Sequence, residues 1–199
     1  MKPATLFRLV MALGFLAALL FGIATIRHGF SAREQPSALE SAIASKIRTI
    51  ATPEAARNAK NPVAATPAVL TEARDHFADH CAICHGNDGS GNTTIGQNLY
   101  PKAPDMRLAR TQNLTDGEIY YIIHNGIRLT GMPAWGTDEN DQDSWKLVYF
   151  IRHLPQLTPA EVKEMETLNP KSAMDRQEEH DEEDFLNGKT VEKNEQHHH

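Results

Sequence analysis

The chain has 199 residues, of which 40% are hydrophobic and 23% charged, a composition that suits one ordinary domain with appendages or two small ones. Its formal charge of −6 is uneven: Lys171 to Gln196 holds nine acids and four bases and so supplies five of the six. The body is close to neutral and carries no basic patch of the kind that nucleic-acid binding requires, which excludes that class of partner.

Residues 1–30 contain an apolar run from Leu9 to Ile26, eighteen residues long. That length crosses a bilayer with little tilt and exceeds the core of an ordinary signal peptide. Lys2 and Arg8 precede the run and Arg27 and Arg33 follow it, so flanking charge does not fix its orientation. No small-x-small cleavage site directly follows; the nearest is Ala42-Ile43-Ala44. An uncleaved anchor is the expectation, with a cleaved signal as the alternative. Residues 31–65 read as a linker rich in Ala, Ser and Pro. Within it Leu39, Ile43, Ile47 and Ile50 share one helical face, so a short amphipathic helix is expected, lying on the membrane surface, on the following domain, or serving as a spacer.

Residues 66–168 read as the folded domain with a trailing helix. Thr66-Pro67 is a helix start, with a capping side chain followed by proline at the first helical position. Leu70, Ala73, Phe77 and Cys81 then repeat at helical spacing. Gly86 to Asn92 is a polar, glycine-rich loop, extended by Pro101 and Pro104. Thr115 and Glu118 form a capping box for a helix that ends at Gly126. A glycine-bounded loop, Leu129 to Gly136, precedes a helix capped among Asp141 and Asp143 that stops before Pro155. Thr158 and Glu161 open a last short helix. No segment alternates as a strand would, so the fold class is all-α: a small helical domain with an N-terminal transmembrane helix. Residues 169–199, with the acidic block Glu178 to Asp184 around His180, read as a solvated, disordered tail.

The only two cysteines fall in Cys81-Ala82-Ile83-Cys84-His85. C-x-x-C-H spacing points to covalent attachment of one c-type haem. Two thiols one turn apart add to the two vinyl groups, and the next residue, His85, is held under the iron as proximal ligand. A zinc site would need two further ligands at matching spacing, and a thioredoxin-like dithiol would need a strand–helix context; neither is seen. Covalent attachment takes place outside the cytoplasm, which orients the anchor. For the sixth position Met132 is the candidate, set between Gly131 and Pro133 and 47 residues after His85. A thioether favours Fe(II) and raises the reduction potential. Met106 sits close behind the motif, and Met165 and Met174 lie beyond the last main helix. His76 and His80 are expected to face solvent and His153 to complement a helix end. His124 is the alternative ligand, in a bis-histidine site.

Residues 66–156, less than half of the chain, resemble a class I monohaem cytochrome c domain. The resemblance rests on Cys81, Cys84 and His85 and on Gly131-Met132-Pro133. It implies that Ala73 and Phe77, at positions where the family has a small residue and an aromatic, pack against Phe150 of the last main helix. Ala73 replaces the usual glycine, which should open that helix crossing slightly. It also implies a proline carbonyl near the His85 Nδ1, from Pro101 or Pro104. Phe77, Leu99, Ile119, Ile122, Trp135 and Val148 are the expected haem walls. The function so indicated is single-electron transfer rather than catalysis by the chain itself. The protein would be anchored in the inner membrane and face the periplasm, between respiratory or periplasmic redox partners. The alternatives are a haem subunit of a larger membrane oxidoreductase, or a gas or redox sensor.

Overall fold

A computed structural model describes residues 3–28, 31–136, 141–171 and Leu186. The described residues are helical and contain no strand. The expectation for the tail, His180 included, lies outside them.

Helix α1 (Pro3–His28) is apolar all round and long and apolar enough to cross a membrane. At about 1.5 Å per residue it exceeds the thickness of a bilayer's hydrocarbon core. Helix α2 (Ala38–Ala51) begins at Ser37, whose hydroxyl accepts from the Glu40 amide, and matches the amphipathic helix read from the sequence. Its apolar face is turned away from the domain. Leu39, Ile43, Ile47 and Ile50 point outward, between 50% and 73% exposed, while Ser41, Ser45, Arg48 and Thr49 are the half-covered side chains.

The remainder of the presumed linker is packed on the domain. Helix α3 (Glu54–Asn58) lies against the start of helix α8 (Asp116–Asn125). A Cβ on Gly117 would run into the Ala56 carbonyl, so only glycine allows this approach. The Thr115 hydroxyl donates to the Arg57 carbonyl (2.7 Å). The Asn61 side-chain amide donates to the Trp145 carbonyl (2.9 Å), and the Tyr149 hydroxyl to that of Val63 (2.6 Å).

Helix α4 (Pro67–His76) is capped by Thr66 and passes without a break into a π turn (Phe77–Cys81) and then α5 (Ala82–His85). The widened turn falls directly on the haem motif, as π turns commonly do at functional sites. Helix α9 (Gln142–His153), capped by Asp141, crosses α4. At that crossing Ala73 and Phe77 are buried, and the Phe77 and Phe150 rings meet at 4.9 Å, tilted by 52°. This is the packing the resemblance implied. Helix α6 (Thr94–Gln97) and helix α7 (Ala109–Gln112) lie in the long loop between α5 and α8. Arg152 on α9 holds the end of that loop: its guanidinium donates to the Gln112 carbonyl (2.6 Å), the Leu114 carbonyl and Asp116 (2.8 Å).

Helix α10 (Pro159–Glu166) follows a single 3-10 turn (Leu154–Gln156) and closes the core with Met165, which is fully buried. The expected capping box is formed. The Thr158 amide (2.8 Å) and hydroxyl (2.7 Å) donate to Glu161, with His153 at 3.1 Å, and hold the Glu161 carboxyl down to about 2 from an ordinary 4.5. A depressed carboxylate stabilises the fold above its unfolded pKa and stops doing so as pH falls through the folded one. The stability difference between wild type and Glu161→Gln should therefore shrink between pH 4.5 and about 2, as measured by denaturant unfolding across that window.

Candidate haem site

An apolar cavity of about 470 Å³ opens between the motif helix, the loop after it, α8 and α9. That is an ordinary size for a cofactor site. Cys81, Cys84 and His85 line it, and so do Met132, Gly131 and Pro133 from the loop after α8. Segments 47 residues apart thus meet at one cavity. Phe77, Leu99, Ile119, Ile122 and Trp135 are on its walls, as the sequence suggested. Val148 is not. It is fully buried in the α4–α9 crossing, and Leu147 and Ile151, one turn apart on α9, face the cavity instead. The helical phase of α9 was the error: burial alone does not distinguish core from cavity wall.

The loop after the motif is tied back onto it by its own backbone. The Gly91 amide donates to the His85 carbonyl (2.7 Å), and the Thr93 hydroxyl reaches the Ile83 (2.9 Å) and Cys84 (3.1 Å) carbonyls. The Met106 amide donates to the Gly89 carbonyl (2.8 Å). Gly91 adopts φ 71°, and a Cβ there would collide with the Ala103 carbonyl, so the loop closes only with glycine. This path brings Pro104, not Pro101, to the side of His85. Burial pushes the His85 imidazole below the ordinary histidine range, against which the Pro104 carbonyl acts. The contact falls short of hydrogen-bond geometry, leaving the His85 Nδ1 buried and without a full partner.

The Met132 loop is equally constrained. The Ile127 amide donates to the Met132 carbonyl (3.0 Å), and the Met132 amide to the Thr130 hydroxyl (3.1 Å). The Trp135 and Gly136 amides cap the carbonyls of Ile123 (3.1 Å) and His124 (3.0 Å) at the end of α8. Gly131 packs closely on Leu99 of the cavity wall, whose side chain would have to shift for a Cβ that meets it at 2.6 Å. Gly126 adopts φ 66°, and a Cβ there would lie 2.8 Å from the Met132 carbonyl oxygen. Gly126→Ala therefore adds about 1–3 kcal/mol of backbone strain and pushes on the segment that carries Met132. The ferric absorption band near about 695 nm, which reports iron–Met ligation, should weaken markedly in this variant while haem attachment persists.

Among the other candidates, Met106 is buried and lines the cavity, but two residues after Pro104 it belongs to the His85 side. His124 is not among the lining residues: its Nδ1 lies 3.3 Å from Asp141 and 3.4 Å from the Tyr120 hydroxyl. His80 is exposed as expected, though it also lies on the cavity edge, edge-on to Trp135 at 5.7 Å, while His76 beside it is half-buried rather than solvent-facing.

The cysteines argue against a redox dithiol. Burial, with Cys84 adding to it, pushes the Cys81 thiol up to about 12, and burial also raises Cys84. Reactive dithiols show the opposite shift. No three His, Cys, Asp or Glu side chains converge on a metal-sized site among the described residues. Two neutral thiols on an apolar wall and a buried imidazole with an unpartnered nitrogen fit a covalently held porphyrin.

Residues 68–151 match the family described as cytochrome C oxidase, cbb3-type, subunit III. The chain carries a c-type cytochrome domain. No curated protein matches the chain. The match covers less than half of the 199 residues and leaves out α1, α2 and α3. The cytochrome domain implies covalently bound haem c and electron transfer, and the apolar N-terminal helix is compatible with membrane anchoring.

Proposed function

We propose that the protein is a membrane-anchored, single-electron carrier whose haem iron is bound by His85 and Met132. The observation that carries this reading is the shared cavity, which His85 and Met132 both line from segments far apart in sequence. The haem supplies a one-electron Fe(III)/Fe(II) couple. Cys81 and Cys84 would hold the porphyrin covalently, His85 and Met132 would supply the protein ligands to its iron, and the apolar walls would exclude water. The Pro104 carbonyl lies to the side of the His85 Nδ1 and would orient the ring by accepting from that nitrogen once the short remaining approach is made. With His85 and Met132 both committed to the iron, the chain would leave no site on it for a substrate.

The anchor is α1, uncleaved, in the inner membrane, with the haem domain on the periplasmic side. Cleavage of this segment, leaving a periplasmic protein, is the alternative. Rapid mixing of the reduced, detergent-solubilised full chain with carbon monoxide tests the carrier reading. A six-coordinate carrier stays largely unreactive over seconds, whereas a sensor with an open position binds at once. A second reading is favoured by the family match: a haem subunit of a larger oxidase, the electron entering the complex through this domain. Recovery of a stoichiometric oxidase partner from solubilised membranes distinguishes it from a free-standing carrier.

A further inference from the structure

The cavity wall carries three cationic side chains, Arg48, Lys102 and Arg110, and no carboxylate. Arg48 comes from α2, outside the matched domain. Its guanidinium is half-covered and has no ion pair with any described residue. Burial lowers its pKa and the like charge of Arg110 lowers it further, with only Glu118 acting weakly the other way. Arg48, half-covered on an apolar cavity wall with Lys102 and the exposed Arg110 beside it on the same wall, is unfavourably placed unless an anion lies against it.

Helix α2 sharpens the point. It buries no side chain, and its apolar ridge faces away from the domain, so hydrophobic packing does not hold it in place. Its attachments are polar. The Tyr100 hydroxyl donates to Glu40 (2.6 Å), and Thr52, itself buried, fixes the last turn by donating to the Arg48 carbonyl from its amide and hydroxyl (both 2.9 Å). Arg110 stands on α7, which Gln112 secures through the carbonyls of Met106 (2.7 Å) and Ile151 (2.9 Å). The two arginines therefore reach one cavity from two separate elements, α2 and α7.

Resting on the presence of haem c in this cavity, we propose that Arg48 and Arg110 form the recognition site for the carboxylate side chains of the porphyrin. Helix α2 is then a working part of the haem pocket rather than a spacer. It links the membrane-proximal segment to the redox centre. Guanidinium and carboxylate are matched in charge and in planar, two-point geometry. A cation held there also disfavours the extra positive charge of Fe(III).

The test is redox titration of the haem-loaded full chain as wild type, Arg48→Gln, Arg48→Lys and Lys46→Gln. Lys46 is on the same helix, exposed, and not on the cavity wall, so Lys46→Gln makes the same change in net charge away from the site. At an effective dielectric of about 20, loss of a cation across a cavity of this size shifts the ferrous–ferric equilibrium about tenfold toward Fe(III). That is a fall of about 59 mV for a one-electron couple. Arg48→Gln should show it, with haem content and axial-ligand spectrum unchanged; Arg48→Lys should recover most of it, and Lys46→Gln should lack it. Equal potentials in Arg48→Gln and Lys46→Gln, or an altered ligand spectrum in Arg48→Gln, would overturn the proposal. The outcome is separable from the axial-ligand reading. A wild type without iron–Met ligation whose potential still falls on Arg48→Gln refutes Met132 and supports the carboxylate site.

Discussion

Replacing Met132 with alanine should leave the haem attached and remove the ferric band near about 695 nm. The midpoint potential should fall by on the order of 100 mV, a modest part of the roughly 0.8 V over which axial ligation tunes haem. A neutral, soft sulfur stabilises Fe(II); water or another side chain in its place does so less well. The argument for Met132 over its rivals is positional. Met106 is on the cavity wall but follows Pro104 on the His85 side, and His124 is engaged with Asp141 and Tyr120 away from the cavity. An unchanged spectrum and potential in Met132→Ala, checked by optical redox titration, would remove Met132 as a ligand.

Removing both attachment points, Cys81→Ser with Cys84→Ser, should have the largest effect on the fold. A domain of this size has a small core of its own, and a haem would fill an apolar cavity of about 470 Å³ between the motif helix, the loop after it, α8 and α9. Leaving such an apolar volume empty costs on the order of 10 kcal/mol at about 24 cal/mol per Å³. Whole-domain stabilities are only about 5–15 kcal/mol. The apo chain should therefore lose cooperative unfolding of the domain, with Phe77, Leu147 and Ile151 exposed to solvent. Far-ultraviolet circular dichroism followed through thermal unfolding checks this, with the membrane helix contributing a constant background. Native-like cooperative melting without haem would show that the Ala73–Phe77–Phe150 crossing alone suffices.

Much of this was legible in the sequence because the strongest signals are local. Cap chemistry gave the starts of α4, α8, α9 and α10, where Thr66, Thr115, Asp141 and Thr158 each accept the expected amide hydrogen bond. The C-x-x-C-H spacing marked the haem, and glycine-flanked Met132 marked a second segment that the fold brings to the same cavity. Features set by three-dimensional phase were less legible. Val148 and Leu147 are adjacent and both apolar, and only the crossing angle of α4 and α9 decides which meets the cavity. The amphipathic pattern of α2 indicated a helix but left open whether it lay on the membrane surface, on the domain or served as a spacer; in the structure its polar side is the half-covered one and its apolar ridge faces outward. Between Pro101 and Pro104, loop closure through Gly91 and Ala103 made a choice that spacing left open.

The most direct measurement of the central claim is an optical redox titration of the detergent-solubilised full chain, following the haem bands and the weak ferric band near about 695 nm together. A carrier with His85 and Met132 on one haem gives a single one-electron transition in which that band disappears in step with reduction. A wild-type ferric protein that lacks the band, or a titration that resolves into more than one transition, would contradict it.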